Sequence, residues 1–538
     1  MGLLTKYNRF ILINLSIIIL IIIQNFLFAE VSDWEGGRPD KCTTIMVGKK
    51  VSSDGSVMTS HTCDSHPPPS WMHIQPARKH KKGAEVTLVK RAKEDSLAMP
   101  LYKYVPSGKI PQVEQTYGFI NTAYPCMNDH QLAIGESTFG GRESLHTEKG
   151  LIDCEQLVQL MIERCSTARQ AIKIGGELVE KYGWIDEGEC LTIADKTEAW
   201  VFEIVGPGKG NLGAVWVAQR VPDNHISVNA NASRIRQIDL DNPDYFMASD
   251  NIFKLAQDST WWDPTQGAFE FCYAYDPGGR TSFAARRREW RVFDLVAPSY
   301  QLDANAENFP FSVKPDTLVT VEKMVEIFQD YYEGTPYNFV KNITWMNEDG
   351  EYEISPLANP FMPYDMNKIF NINGGWDWRG ERTIARWYTM YATITQSREW
   401  LPDEIGGVTW MALDNVASSI YIPIYCSVTD LPESYKTPGR ENGFNRKAAW
   451  WAFNRLGTLT AQRWGDMRHD VTAVWGPMQQ ELFMNQKDIE DKALELLKKD
   501  RKKTRKYLTE YTNSWGTKVV QQAWDLGDLL WTRYDEKF

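Results

Sequence analysis

The sequence predicts a mixed α+β fold, rich in sheet toward the front and helical toward the back. Three observations carry this reading. Short runs of β-formers separated by turn residues recur between residues 42 and 231. Residues 153–182 repeat apolar side chains at helical spacing. From about residue 445 onward the pattern is mostly helical, including a charged stretch at 488–507.

The elements follow in chain order. Residues 42–48 (CTTIMVG) are β-formers, and Ser52-Ser53-Asp54-Gly55 is a hairpin turn signal before a second strand at 56–63. Residues 117–122 and 132–136 flank a turn at Met127-Asn128-Asp129-His130. The helix at 153–182 carries Leu157, Leu160, Met161, Ala171, Ile172 and Leu178, and Gly183 stops it. Residues 190–194 and 199–205 predict a hairpin around Asp195-Lys196-Thr197. Residues 214–221 and 225–231 predict another around Pro222-Asp223-Asn224. Further on, 382–395 reads as a helix, and 408–412 and 419–425 read as strands. There is no internal repeat and no low-complexity linker.

Composition narrows the function. The 538 residues suffice for a large core, and 43% hydrophobic with 24% charged residues is ordinary globular composition. A mean hydropathy of −0.43 excludes a polytopic membrane protein. A net charge of −11 argues against nucleic acid as a partner, because phosphate neutralisation needs a basic surface. Eight Cys in this length are not a disulfide scaffold.

Lys6 and Arg9 precede an apolar run at 10–29 that ends at Ala29. This reads as a signal peptide over 1–29, and the run is long enough to tether the chain to a membrane if uncleaved. Residues 30–41 (EVSDWEGGRPDK) read as a linker or short propeptide. The expectation is an exported protein.

Familiar catalytic signatures are missing: there is no P-loop, His-Glu-x-x-His, Cys-x-x-Cys or EF-hand loop. Gly135-Glu136-Ser137-Thr138-Phe139 is not a nucleophile elbow, since it ends in Phe. His61, His66, His73 and His80 match no zinc spacing, so no metal or cofactor is expected. Arg286-Arg287-Arg288 reads as a solvated or salt-bridged face.

Cys42 stands where the unpatterned leader meets the first strand. Cleavage before it would give one residue both a thiol and a free α-amine, with reference pKa values of about 8.5 and about 7.7–8.0. Such a residue supplies nucleophile and general base together. A turn centred on Asp54-Gly55 places Cys42 opposite roughly 65–67, so Asp64 falls within one to three residues of facing it. A carboxylate there could position the amine.

These residues resemble a family. Cys42-Thr43-Thr44-Ile45-Met46-Val47-Gly48, Asp54-Gly55-Ser56 and His61-Thr62-Cys63-Asp64 are similar to the mature start of the peptidase family C69 dipeptidases. These are N-terminal nucleophile (Ntn) hydrolases related to the secernins, penicillin V acylase and bile salt hydrolase. Met127-Asn128-Asp129, residues 133–138 (AIGEST), 195–203 (DKTEAWVFE), 218–222 (AQRVP) and 229–235 (NANASRI) extend the match in order, and Arg382-Thr383-Ile384 adds to it.

The resemblance implies an αββα four-layer sandwich over 42–430, with a mostly helical region at 431–538 packed on it. It implies that Cys42 becomes residue one and attacks a small peptide substrate. It suggests Asn231 as oxyanion donor, and Arg382, with Arg386 as fallback, near the nucleophile on a later helix. Asn128 and Glu136 are substrate-site candidates. One departure stands out: relatives carry an Arg a few residues before the aspartate matched to Asp64, where this chain has His61. Two other readings remain open, an N-acyl amide hydrolase of the same fold and a catalytically silent binding protein.

Overall fold

Thr44–Val47, with three β-branched residues in four, forms a fully buried strand. It lies third in a seven-stranded antiparallel sheet. The order is Ser312–Val313, Ile226–Asn229, Thr44–Val47, Val57–Cys63, Tyr391–Ser397, Val408–Leu413 and Ile422–Tyr425. A second, eight-stranded antiparallel sheet runs Phe246–Ala248, Val215–Val221, Ala199–Val205, Gly188–Ala194, Ala133–Gly140, Met127–Asn128, Phe119–Asn121 and His73–Gln75. This computed structural model describes residues 41–65, 68–94, 101–361 and 381–537. The apolar run at 10–29 and the linker up to residue 40 lie outside the described residues. Among the described residues no helix is long and apolar enough to cross a membrane.

The sheets touch through their inner strands. Thr59 Oγ1 donates to Thr192 Oγ1 at 2.7 Å across the gap. Gly135 makes the approach possible, since a Cβ there would lie 2.3 Å from the Ser60 carbonyl oxygen. Cys154–Arg164 and Ala168–Tyr182 flank the eight-stranded sheet, where Gly176 sits against the Trp216 ring. The helices Ala449–Gln462, Trp464–Leu497 and Arg501–Arg533 lie beside the seven-stranded sheet. Gln479 there brackets the Tyr421 backbone through both amide atoms, and Thr512 Oγ1 donates to the Pro423 carbonyl at 3.0 Å.

The mixed helix-and-sheet class, the 190–205 hairpin and the helical back end match expectation. Four local readings need correction. The segment 382–395 is not a helix: Tyr391–Ser397 is a strand between Val57–Cys63 and Val408–Leu413, and Arg382 lies in the irregular stretch before it. Its β-branched Thr393, Ile394 and Thr395, buried with the rest of the strand on both faces, favour the sheet. The strands Val215–Val221 and Ile226–Asn229 form no hairpin; they belong to different sheets, and Pro222-Asp223-Asn224 carries the chain between them. Residues 153–182 form two helices, because Cys165 is extended and the Thr167 hydroxyl caps a new helix. The turn after the first strand is longer than Asp54-Gly55, so Thr43 pairs with Thr62 and Val47 with Met58. That register sets Cys42 opposite Cys63, one residue before Asp64.

Candidate active site

The pairing of Thr44–Val47 with Val57–Cys63 is completed by side chains. Thr62 Oγ1 accepts from the Thr43 amide at 2.9 Å, and Ser60 Oγ accepts from Ile45 and donates back to its carbonyl. The end of this splayed pair holds Cys42, which is 1% exposed.

Cys42 Sγ donates to Glu136 Oε2 at 3.2 Å, from a strand of the opposite sheet. His61 Nε2 lies 3.3 Å from the same oxygen without an aligned hydrogen bond. Burial, then the Glu136 charge, push the thiol well above its usual value. Burial pushes the Glu136 carboxyl up, but His61, Glu189 and Cys42 together outweigh it and leave the group at about 2. Behind it, burial and the Glu136 charge push Glu189 strongly up. Thr138 Oγ1 bridges the two, 3.0 Å from Glu136 and 2.9 Å from Glu189.

Asp64 is fully buried at the end of Val57–Cys63. It pairs with Arg382 and accepts from Thr389 Oγ1 at 2.7 Å and Thr62 Oγ1 at 3.1 Å. Arg382 Nη1 also donates to the Lys41 carbonyl at 3.3 Å. That carbonyl belongs to the Lys41–Cys42 peptide bond.

Asn231 follows Ile226–Asn229 and holds φ at +63°, a left-handed conformation uncommon for a residue with a side chain. Its neighbours hold it there. The Ser233 and Arg234 amides donate to Asp276 and Glu203, at 2.9 and 2.6 Å. Burial raises both of these carboxyls to about 7. Asn231 Nδ2 donates to the Thr138 carbonyl at 2.6 Å, and its backbone amide donates to Ser137 Oγ. At 6% exposure this amide is no glycosylation site, although Asn231-Ala232-Ser233 is a sequon.

Arg288 was not legible as a site residue. It lies on Phe283–Val296 and is fully buried. It donates to the Cys42 carbonyl, Thr43 Oγ1, the Ala230 carbonyl and Asn231 Oδ1, at 2.8–2.9 Å. Burial and the nearby Arg382 lower it to about 9. The three arginines form no solvated face: Arg286 caps the Asn305 and Ala306 carbonyls, and Arg287 pairs with Glu381 at 2.8 Å. The overlooked signal was spacing, since Arg288 falls on the Ala285–Val292–Val296 stripe of its helix.

Cys42, Glu136, Asp64, Arg382 and Asn231 therefore converge through direct or one-residue links. Asn128 does not join them. Its Nδ2 donates to the Ile162 and Cys165 carbonyls, and its Oδ1 accepts from His130 and Leu132, closing a turn onto a helix end. Arg386 lies beside the Tyr388 ring. All eight cysteines are unpaired thiols.

The site thus holds a thiol buried beside a carboxylate, with an amide and two arginines around its backbone. The profile of peptidase family C69 matches residues 41–476, and this chain belongs to that family. It is similar to dipeptidase A of Lactobacillus helveticus, 24% identical over 81% of this chain and 84% of the relative. A probable dipeptidase B of Lactococcus lactis subsp. lactis is 26% identical over 75% and 78%. A probable dipeptidase of Salmonella dublin is 24% identical over 72% and 82%.

Proposed function

We propose that this chain is an exported dipeptidase of the Ntn type, with the αββα layering of that class. Cys42 serves as nucleophile once the Lys41–Cys42 bond is cut. The family match, beginning at Lys41, and the relatives' names support a dipeptide substrate. The observation that carries the mechanism is the position of Cys42. It ends a strand pair with its thiol on Glu136, while Arg382 reaches the carbonyl of the bond before it.

In the uncut chain the thiol has a buried carboxylate beside it and no base of its own, which keeps it protonated. Cutting releases the α-amine. The amine takes the thiol proton as sulfur attacks the substrate carbonyl, then returns it to the leaving amine. Asn231 keeps a second N–H beyond the one given to Thr138, and that hydrogen serves the oxyanion. Arg288 holds the Asn231 oxygen and the Cys42 carbonyl, so it positions donor and nucleophile together. The Asp64–Arg382 pair orients the amine side of Cys42.

N-terminal sequencing and intact mass of the protein purified from its exporting host test this. A chain beginning at Cys42 is expected; a chain that hydrolyses dipeptides while retaining residues before Cys42 would overturn the amine mechanism. A panel of dipeptides set against N-acyl amides separates peptidase from acylase, and turnover of acyl amides alone would sink the dipeptidase reading.

A further inference from the structure

We propose that Cys42, His61 and Glu136 form a binding site for a zinc-class divalent cation, and that the cation silences the nucleophile. The three donor atoms, a thiol sulfur, an imidazole nitrogen and a carboxylate oxygen, all lie within 4.8 Å of one another and all three residues are buried. Two of the three edges come close to those of a tetrahedral ion. Zinc–nitrogen and zinc–oxygen bonds of about 2.0–2.1 Å and a zinc–sulfur bond of about 2.3 Å imply ligand separations of roughly 3.3–3.6 Å. Here Glu136 Oε2 lies 3.3 Å from His61 Nε2 and 3.2 Å from Cys42 Sγ.

The setting of the histidine points the same way. His61 Nε2 is buried, faces this cluster and has no hydrogen-bond partner. A buried ring nitrogen left so is costly, and a metal ion would use it. The ring is held edge-on between Tyr124 and Tyr391, at centroid distances of 5.3 and 5.6 Å, which fixes its aim. A guanidinium at position 61 would repel a cation, whereas a neutral imidazole can ligate one. Sequence spacing could not show it, because the ligands stand at 42, 61 and 136 on three strands or strand ends.

Binding replaces the Cys42 thiol proton, which leaves to solvent, with a sulfur–metal bond. The sulfur's lone pair is then committed and cannot attack a carbonyl. The silencing rests on the reading above, in which Cys42 is the nucleophile; the metal site does not. A second cluster, Glu136, Cys154 and Glu189, shares one ligand. It has no imidazole, and Thr138 already ties its two carboxylates together.

The test is titration of the purified protein with Co2+ and Zn2+, with the chain start established by mass spectrometry. Expected are thiolate-to-cobalt charge-transfer absorption and tetrahedral visible bands at one ion per chain. Zinc should displace the cobalt and inhibit dipeptide turnover, and a chelator should reverse the inhibition. Cys42→Ala should lose the charge-transfer band, and His61→Arg and Glu136→Gln should each weaken cobalt affinity at least tenfold. Cys154→Ala should bind as the parent does. Absence of cobalt bands from a chain shown to begin at Cys42 overturns the proposal. So does a band that survives Cys42→Ala or vanishes only in Cys154→Ala. A chain that retains its leader, hydrolyses dipeptides and shows the Cys42-dependent bands keeps the metal site and refutes the amine mechanism, so the two failures are distinct.

Discussion

The end of the sheets around Cys42 and the helices from Ala449 to Arg533 are buried by different means. Around Cys42 the interior is polar: His61, Asp64, Glu136, Glu189, Asn231, Arg288 and Arg382 are all nearly inaccessible. Apart from the His61 ring, each is held by specific hydrogen-bond or ion-pair partners, since a buried charge without one is expensive. In the helical region most buried positions are apolar, among them Phe453, Leu456, Trp475, Leu482, Leu508, Val519 and Leu530, which need shape rather than partners. One region is organised for chemistry at a fixed geometry, and the other supplies the core against which that geometry is held. Changes in the first should remove activity out of proportion to stability, and changes in the second should do the reverse.

The sharpest test of this contrast is Cys42→Ala, which removes one sulfur from a site otherwise satisfied. Dipeptide turnover should fall by at least about 10³-fold while the melting temperature stays near that of the parent. Near-parental turnover would break the assignment. Asp64→Asn should damage both properties, because it leaves Arg382 buried without its carboxylate. A stability loss of about 3–5 kcal/mol by denaturant titration is expected, with a marked drop in kcat. Leu482→Ala, fully buried on Trp464–Leu497, should cost about 2–5 kcal/mol and leave kcat of the folded enzyme unchanged. A kcat change matching that at the site would erase the contrast. Arg288→Lys keeps charge but loses the fork that grips the Cys42 carbonyl and Asn231 together. It should lower kcat about 10- to 100-fold with a smaller change in KM.

The smallest effect is in pH. Asp414, beside the C-terminal helices, is fully buried, and burial raises its carboxyl to about 7 against an unfolded value of about 3.9. A raised carboxyl binds its proton more tightly when folded. Its contribution to stability is therefore complete below about pH 4 and lost as pH rises through about 7. Asp414→Asn keeps the contact from Asn454 Nδ2 through its amide oxygen and should flatten the fall in melting temperature between pH 5 and pH 8. An unchanged slope would place the titration elsewhere, with Glu203 and Asp276 next in line.

The same contrast explains how far the sequence could be read. Helical periodicity in the C-terminal region and the turn at Asp195-Lys196-Thr197 are local signals, and they were legible. Asp195 Oδ1 caps that turn from within it, accepting from Thr197 and Glu198 at 2.7 and 2.9 Å. Cys42 was legible because it sits between a patternless leader and a β-rich strand. Tyr391–Ser397 was misread because a short run of Tyr, Ala, Thr and Ile fits either period until neighbouring strands claim its edges. The 214–231 hairpin was misread because a turn signal does not say whether the two strands will pair with each other. Asn128 looked like a site residue, yet its four hydrogen bonds serve a turn and a helix end.

By itself the sequence determined the class of fold, the family and the cysteine that stands just before the strand of interest. It could do so because helix period, strand alternation and turn chemistry act between residues close in the chain. Only the tertiary structure decided what surrounds Cys42. Glu136 arrives from the other sheet 94 residues away, Arg382 lies 318 residues beyond Asp64, and Arg288 reaches the Cys42 carbonyl across 246 residues. Those contacts depend on two sheets meeting at Gly135 and on helices closing over strand ends. No local rule encodes such distances, because they follow from packing of the whole core.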